Sequence, residues 1–274
     1  IRRLQGVSGL EYTTRGYEGI GAINWLAFNT RREPLDDVRV RQAIAYAVDR
    51  DFIINALHRG TSQPQRGPII ESSPFFNPDV EAYDLDIERA NALLDEAGHE
   101  RGSDGNRFSL SIDYIPGTAE QQQNVAEYIR SQLRRVGIDV EVRAAPDFPT
   151  WAGRVAGGDF DMTMDLVFNW GDPVIGVHRT YLSSNIRPVI WSNTQGYANE
   201  RVDALLDEAA QEPDTERRTA LYAEFQEIIA DEVPIYFLNI IPYHTFHDDR
   251  LTNIPVSIWG AMQSMDEVYW SEDR

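Results

Sequence analysis

The sequence predicts an α/β fold: a mixed sheet whose strands are joined by helical β-α-β crossovers. Two segments in the centre of the chain, 108–115 and 138–142, alternate apolar and polar residues as half-buried strands do, and residues 162–168 (MTMDLVF) are predicted to form a third strand. Between these strands, residues 118–136 and 148–156 carry apolar side chains at helical spacing. The resulting β-α-β-α-β order indicates parallel strands with right-handed crossovers.

The part of the chain before this unit is predicted to be helical in three segments: 38–48, 51–57 and 86–97. Asp36 and Asp37 precede the first of them, and acidic residues at a helix start interact favourably with the helix dipole. The last segment is followed by Gly98, a typical stop signal at a helix C-terminus. Residues 61–78 are rich in Pro, Ser, Gln and Gly, so we expect a long irregular loop there.

Two further helices are predicted in the C-terminal third of the chain. Asn199 caps the first, and Asp214 or Thr215 caps the second, because these side chains accept hydrogen bonds from the free N–H groups of a helix start. Beyond the helices we expect one or two strands and then an irregular tail, over residues 234–246 and 248–274 respectively.

The chain is strongly acidic. Its 274 residues include 44 Asp and Glu against 25 Lys and Arg, which gives a formal net charge of −19. Such a field repels nucleic acid and anionic lipid surfaces, since binding to either depends on basic side chains that contact phosphate. There is no lysine, so a Schiff-base lysine and a P-loop lysine are both excluded.

The sequence contains no cysteine, which excludes disulfides, thiolate catalysis and cysteine-ligated zinc. No apolar run approaches the ~18 residues needed to cross a bilayer. The chain begins at Ile1 without an initiator Met and without a signal segment, so we expect either a processed N-terminus or a piece of a longer protein.

The sequence gives no support for catalysis. Asp161 and Asp165 are four residues apart, so on a strand they share a face at ~13 Å, which is too wide for the carboxylate pair of a glycosidase. No G-x-S-x-G nucleophile motif occurs. His244 and His247 are three residues apart, so on a strand they point to opposite faces and cannot readily share a metal ion. We therefore expect no enzyme activity, no cofactor and no metal site.

Two other conspicuous groups of residues have structural interpretations. The aromatic residues Trp25, Phe28 and Tyr46 are expected in the core, where most large aromatic side chains lie. The glycines at positions 16, 19 and 21 lack the strand-loop-helix order of a dinucleotide site, so we exclude such a site there.

The loop after the third predicted strand is the candidate ligand site. Asn169-Trp170-Gly171-Asp172-Pro173 follows a strand inferred to be parallel, and open α/β sheets bind their ligands at the C-terminal ends of such strands. Trp170 offers a flat apolar contact, Asp172 offers a charge, and Gly171 allows close backbone approach. The alternative is a simple turn in which Pro173 restricts Asp172.

Five segments, in this order and spacing, carry a resemblance to one family: NTRREPLDDVRVRQAIAYAVDR (29–50), ANALLDEAG (90–98), GDP (171–173), NTQGYAN (193–199) and VDALL (202–206). Together they resemble the family 5 extracellular solute-binding proteins, which are the dipeptide-, oligopeptide- and nickel-binding components of ATP-binding-cassette importers. No single segment carries the resemblance, and it extends over nearly the whole chain.

The resemblance implies one lobe of a type II (cluster C) periplasmic-binding-protein-like fold. Family members are usually about twice as long and close two lobes over their ligand, so this chain resembles their C-terminal half. We expect residues 1–30 to be a strand and the remnant of the connection to the missing lobe. Residues 31–238 are expected to form the complete ligand-binding α/β lobe, and residues 239–274 to belong to the other lobe.

Arg154 and Asn169 join Trp170 and Asp172 as predicted ligand-binding residues, and for these two the prediction comes from the resemblance. In peptide-binding members, an aspartate three residues before the position of Asp172 holds the amino group of the peptide, and Asn169 occupies that position here without a charge. Some members use an arginine of the preceding helix to bind the carboxylate of the ligand, and Arg154 matches it; a guanidinium suits this role. A solvated helix arginine is the alternative for Arg154.

We therefore expect a periplasmic binding component that captures a peptide or peptide-like solute between two lobes. Its expected partners are the permease and ATPase subunits of an ATP-binding-cassette importer, and no nucleic acid. We expect a monomer. Two alternatives stay open: a sensory or receptor ectodomain that uses the same fold, and binding of a non-peptide solute such as an opine, a sugar or a metal chelate.

Overall fold

The computed structural model describes residues 2–117 and 119–271. In chain order, its strands are β1 (Leu10–Thr13), β2 (Ala22–Phe28), β3 (Gln63–Pro64), β4 (Phe108–Tyr114), β5 (Ile138–Arg143), β6 (Met162–Phe168), β7 (Ile235–Ile240), β8 (Thr245–Asp248), β9 (Leu251–Thr252) and β10 (Tyr269–Trp270). Its α-helices are α1 (Arg2–Gln5), α2 (Val38–Ala47), α3 (Arg50–Phe52), α4 (Ile87–Glu96), α5 (Ala119–Arg135), α6 (Phe148–Ala156), α7 (Pro173–Gly176), α8 (His178–Tyr181), α9 (Glu200–Gln211) and α10 (Thr215–Glu232).

Six of these strands form the central sheet, in the order β3-β7-β2-β6-β4-β5. β4 runs parallel to β5 and to β6, whereas β2 is antiparallel to both β6 and β7. The sheet is therefore mixed, and helices α5 and α6 connect its parallel strands as the sequence predicts. Two small antiparallel pairs, β1-β8 and β9-β10, lie outside the central sheet.

Strand β2 lies between the two layers of the core. Leu26 and Phe28 pack into a cluster on one face of the sheet, to which α2, α4 and α5 contribute. Ile23 and Trp25 pack into a second cluster on the opposite face, with α9 and α10. Every residue of the strand is buried, which explains its nearly continuous apolar sequence. Trp25 and Phe28 are thus core residues, as predicted, and Tyr46 packs half-buried against the first cluster.

The predicted helix boundaries agree with the structure to within about two residues, and side chains cap the helix starts. The Asp37 carboxylate accepts a hydrogen bond from the N–H of Arg39 at the start of α2, and Asn199 and Asp214 cap α9 and α10 in the same way. The predicted first residue of α5, Thr118, lies outside the described residues. The predicted helix over 51–57 is a short α-helical turn followed by a π-helical segment, Ile53–Leu57.

Four parts of the chain differ from the prediction. Residues 2–28 contain two strands, β1 and β2, rather than one. The loop predicted over 61–78 contains the two-residue strand β3. The loop after β6 contains the short helices α7 and α8. The tail, predicted to be irregular, contains the pair β9-β10, in which Tyr269 lies opposite Thr252. These elements are only two to four residues long apart from β2, so they carry no periodic pattern.

The chain enters and leaves the central sheet at one place. Ile23, near the start of β2, pairs with Ile240 at the end of β7, and the N–H of Ile241 donates to the carbonyl of Ala22 at 2.9 Å. Residues 22–28 are thus part of the sheet of the predicted lobe, and the division of the chain into domains stays a prediction. In the part of the chain that the structure describes, no helix combines the length and apolar character needed to span a membrane.

Candidate functional site

Asn169 follows β6 directly, and its side chain holds a neighbouring loop. Its Oδ1 accepts a hydrogen bond from the N–H of Ile70 at 3.0 Å, and its Nδ2 donates to the carbonyl of Pro68 at 3.0 Å. The residue is only 5% exposed. Both ends of the amide are occupied by residues 68–70, so in this structure Asn169 positions that segment. A direct contact between Asn169 and ligand stays a prediction.

Trp170 and Gly171 turn the chain away from β6. Both have left-handed backbone conformations, with φ values of 56° and 83°. The Trp170 ring contacts two other rings: its centroid is 5.0 Å from that of Phe168 and 5.8 Å from that of Trp259, and the planes of the two indoles are inclined by 26°. Trp170 therefore connects the end of β6 to the C-terminal segment of the chain, while its ring stays partly exposed.

Asp172 is bound to helix α10. Its carboxylate accepts two hydrogen bonds from the guanidinium of Arg218, at 3.1 and 2.9 Å, and a third from the N–H of Val174 at the start of α7. Partial burial raises the pKa of Asp172, but the hydrogen bonds from Arg218 and Val174 outweigh it and keep the pKa below the usual range. In this structure the charge of Asp172 is already paired.

Arg154 is also paired within the chain. Its Nη1 donates to Oδ1 of Asp113 at 3.1 Å, and the other oxygen of that carboxylate accepts from Arg143. The Asp113 side chain is fully buried. Burial raises the pKa of Asp113, although the two arginines oppose the change. The arrangement is a buried carboxylate held between two guanidinium groups.

The structure does not bring Arg154 together with the other predicted site residues. Its partner Asp113 pairs with Thr163 near the start of β6, whereas Asn169 comes six residues later. At ~3.3 Å per strand residue, the two positions are ~20 Å apart. Asn169, Trp170 and Asp172 share one loop, and Arg154 lies towards the opposite end of the same strand.

A cavity of about 320 Å³ opens where β2 begins and β7 ends. Its walls come from residues 14–21, 63–72 and 240–243, and we call it the crossing cavity. Small-ligand sites usually have volumes of ~300–1,000 Å³, so the crossing cavity lies at the lower end of that range. It can enclose a small solute or one part of a larger solute.

Contacts between distant segments hold the walls of the crossing cavity. The hydroxyl of Tyr17 hydrogen-bonds to Oγ1 of Thr245 at 2.6 Å, and the ring centroids of Tyr17 and Tyr243 are 5.8 Å apart. The hydroxyl of Ser72 donates to the carbonyl of Glu18 at 2.6 Å. The N-terminal segment is thereby linked to residues 63–72 and to the chain beyond β7.

Gly21 joins the crossing cavity to the predicted ligand loop. Its φ of 52° lies in the left-handed region, and a Cβ at this position would lie 2.7 Å from a carbon of Ile70 and 3.0 Å from Cβ of Asn169. The loop after β6 therefore supports the cavity wall from behind.

The sequence predicts a ligand site at this loop but does not indicate the cavity residues Tyr17, Glu18, Glu71 and Tyr243, which come from segments far apart in the chain. The sequence feature that marks this part of the cavity wall is the cluster of glycines at positions 16, 19 and 21.

The acidic pair considered for catalysis has other surroundings. Asp161 accepts hydrogen bonds from Arg32 at 3.0 Å and from the N–H of Ser111 at 2.8 Å. Asp165 is 5% exposed, and burial raises its pKa to about 7. Among the described residues, no group of three or more His, Cys, Asp or Glu side chains is arranged to hold a metal ion.

Residues 8–188 match the protein family described as bacterial extracellular solute-binding proteins, family 5 middle. The chain is 31% identical to heme-binding protein A of Haemophilus influenzae over 217 residues, which cover 77% of this chain and 38% of that protein. It is 29% identical to the dipeptide-binding protein of Escherichia coli over 219 residues, which cover 77% of this chain and 39% of that protein.

The fold is similar to that of the oligopeptide-binding protein AppA of Bacillus subtilis, solved in complex with a nonapeptide. The TM-score is 0.83 at 19% identity, and the match covers 99% of this chain and 54% of that chain. This likeness confirms the predicted fold class, an α/β lobe of the type II periplasmic-binding-protein-like fold. The chain spans about 40% of the length of the two curated relatives and about half of the solved chain.

Proposed function

Because the chain belongs to family 5 of the bacterial extracellular solute-binding proteins, we propose that it acts in the solute-binding component of an ATP-binding-cassette importer. It captures a peptide or peptide-like solute in the periplasm and delivers it to the permease and ATPase subunits. We assign no catalysis to this chain and expect it to work as a monomer.

The observation that supports the proposal most is the position of the crossing cavity. It lies where residues 2–21 and 241–271 join the central sheet, so its walls come from both sides of that junction. Closure of two bodies around a few connecting residues is a common way to trap a ligand, and a cavity at the connection is occupied as the bodies close. Ligand binding then favours the closed state in proportion to its affinity difference between the two states.

The class of solute is part of the proposal. Among the similar proteins, one is a heme-binding protein, one is a dipeptide-binding protein, and AppA holds a nonapeptide. Two of these three ligands are peptides. The aliphatic, aromatic and polar residues that line the crossing cavity suit the apolar side chains and the hydrogen bonds of a peptide end. We therefore place peptides first, before opines, sugars and metal chelates.

A thermal-shift screen tests this proposal. The protein, expressed from its complete gene, is mixed with peptides of two to five residues, their N-acetylated forms, opines and sugars. A bound solute at 100 times its Kd stabilises the native state by about 2.7 kcal/mol, so a peptide of the right class raises Tm by several degrees. Calorimetry then measures Kd. If no solute shifts Tm, or if a bound solute is chemically converted, the proposal is wrong.

A further inference from the structure

Three buried amide side chains form a chain of hydrogen bonds next to the crossing cavity. Gln122 of α5 donates from Nε2 to Oδ1 of Asn24 in β2 at 2.8 Å, and Asn24 donates from Nδ2 to Oδ1 of Asn239 in β7 at 3.2 Å. Each of the three residues is at most 3% exposed, and we call them the amide chain. Among the described residues that line the crossing cavity, none belongs to the amide chain. It can therefore act on the cavity only through the strands that it joins.

Strand β7 has a bulge beside the amide chain. Asn24 lies opposite Asn239, whereas the next residue of β2 lies opposite Phe237. Leu238 is thus an extra residue on β7, as in a β-bulge. Phe237 and Ile240 both pack against the second core cluster although they are three residues apart, which the strict alternation of a regular strand does not allow. The bulge therefore brings the side chain of Asn239 to the face on which Asn24 lies.

A slipped register is the alternative to this bulge. Without the bulge, the part of β7 beyond Leu238 would pair one position further along β2, and its side chains would exchange faces. Asn239 would then lie opposite Ile23 and point towards the second core cluster, to which Ile23 belongs. Both Asn24 and Asn239 would lose their hydrogen bond to each other. Buried amides that lose their partners are costly, so the amide chain disfavours the slipped register.

The apolar residues beyond the bulge do not choose between the two registers. In the native register the N–H of Ile241 donates to the carbonyl of Ala22 at 2.9 Å. In the slipped register Ile240 would take the place of Ile241 opposite Ala22, so one isoleucine would replace another. The difference lies at Asn24, which faces an asparagine in the native register and a leucine in the slipped one.

We propose that the amide chain locks the register of β7 against β2 at the bulge and thereby positions the wall of the crossing cavity. A buried polar side chain in an apolar core can fix register in this way. Residues 240–243 follow the bulge and line the cavity. A slip of one residue would shift them by ~3.3 Å along the strand and turn their side chains to the opposite face. The register lock goes beyond the proposed function and does not depend on it.

Paired cysteines report the register, since these 274 residues contain no other cysteine. In the protein expressed from its complete gene, Ile23→Cys with Ile240→Cys places two thiols opposite each other in the native register. Ala22→Cys with Ile240→Cys does so only in the slipped register. The disulfides are quantified by mass spectrometry of proteolytic peptides. Asn239→Leu removes the amide that disfavours the slip, so we expect the ratio of native to slipped cross-link to fall about tenfold in that variant.

A matched control and a second measurement separate register from stability. Asn77 is a buried asparagine that donates to the carbonyl of Ala223 in α10, away from β2 and β7. We expect Asn77→Leu to lower Tm and to leave the cross-link ratio unchanged. Hydrogen exchange of the Ile241 N–H needs no cysteine. In Asn239→Leu we expect its protection to fall about tenfold relative to that of the Leu26 N–H, which lies on the other side of the bulge.

Two outcomes in the cross-linking experiment overturn the register lock: an unchanged ratio in Asn239→Leu, or an equal fall in Asn77→Leu, which would mean that slippage follows from lost stability alone. If the cysteine pairs prevent folding, the exchange of Ile241 decides. If Asn239→Leu does not fold, Gln122→Met decides: it removes only the link to α5, and the relative protection of Ile241 should fall about threefold. Unchanged protection overturns the lock. None of these measurements uses a solute, so their failure leaves the proposed function standing, and a failed solute screen leaves the register lock standing.

Discussion

Arg218 of α10 binds both oxygens of Asp172 in the loop after β6, with Nη1–Oδ2 and Nη2–Oδ1 distances of 3.1 and 2.9 Å. The guanidinium also lies 4.7 Å from the ring centroid of Phe75 and 5.5 Å from that of Tyr222. The stacking fixes the plane of the guanidinium, and the two parallel hydrogen bonds fix the carboxylate. The loop that sequence reasoning assigned to ligand is therefore anchored to a helix 46 residues further along the chain.

We expect Asp172→Asn to destabilise the protein by about 1–2 kcal/mol, since the charge-assisted pair is lost but solvent already screens part of it. Denaturant unfolding measures the change. Glu224→Gln is a matched control: Arg201 binds both oxygens of Glu224 at 2.6 Å, but both side chains are well exposed. That substitution is expected to have almost no effect. Equal losses in the two variants would contradict a special role for the Asp172–Arg218 pair.

The parts of the fold that local sequence specifies were predictable. Helices α2, α4, α6, α9 and α10 and strands β4 to β6 follow apolar periodicity and capping residues, which depend on neighbours within four positions. The order of the sheet was not predictable, because β2 pairs with strands more than 130 residues away. Periodicity shows that a strand is buried; it does not identify the partner strand.

The candidate site was predictable only in part. The loop after β6 follows a strand that runs parallel to β4, as predicted, because β-α-β order alone locates such strand ends. A contact between this loop and ligand stays a prediction. The side chains of the loop turned out to have partners within the chain, as Asn169 does with Ile70. The crossing cavity combines three segments that are distant in sequence, so its lining could not be inferred without the pairing of β2 and β7.

The buried carboxyl of Asp165 predicts a pH effect on stability. Burial, opposed by contacts with Leu166, Trp191 and Arg179, raises its pKa from 3.8 to about 7. Between pH 3.8 and about pH 7 the Asp165 carboxyl binds a proton in the folded state but not in the unfolded state. The contribution of Asp165 to the free energy of unfolding is therefore complete below about pH 4 and is lost as the pH rises through 7. Asp165→Asn stays neutral, and we expect it to be more stable than the wild type at pH 8 by about 4 kcal/mol and equal to it at pH 4.

His178 provides the opposite control. Burial lowers its pKa from 6.5 to about 4, with a smaller opposing effect of Asp172, and its Nε2 hydrogen-bonds to Tyr222 at 2.8 Å. The contribution of the neutral His178 side chain to the free energy of unfolding is complete above pH 6.5 and is lost as the pH falls towards 4. The difference in unfolding free energy between His178→Gln and wild type therefore changes with pH in the direction opposite to that for Asp165→Asn. Differences that do not vary with pH would contradict both assignments.

Arg154 is expected to act on stability rather than on ligand affinity. Arg154→Met removes one of two guanidinium groups from the buried Asp113, and because Arg143 remains bound, we expect a loss of about 1–2 kcal/mol. Arg143→Met, which removes the closer partner, is expected to cost about 3 kcal/mol. Calorimetry with the solute found in the screen should give the same Kd for Arg154→Met and wild type within twofold. A tenfold weaker Kd at unchanged stability would instead support the predicted contact between Arg154 and a ligand carboxylate.

The close packing around Gly21 predicts a steric effect that can be separated from backbone strain. Gly21→Ala places a methyl group 2.7 Å from Ile70 and 3.0 Å from Asn169, in a residue with a φ of 52°. Gly171→Ala is the matched control, since its φ is 83° and its new methyl group meets no atom within 4 Å. We expect the free energy of unfolding to fall by about 1 kcal/mol in the control, from backbone strain alone. In Gly21→Ala we expect it to fall by about 3 kcal/mol, because Ile70 and the Asn169 loop must also move. The same movement displaces the cavity wall, so solute affinity falls only in Gly21→Ala. Equal losses of stability, measured by denaturant unfolding, would mean that Ile70 and Asn169 give way freely and that the wall is not rigid.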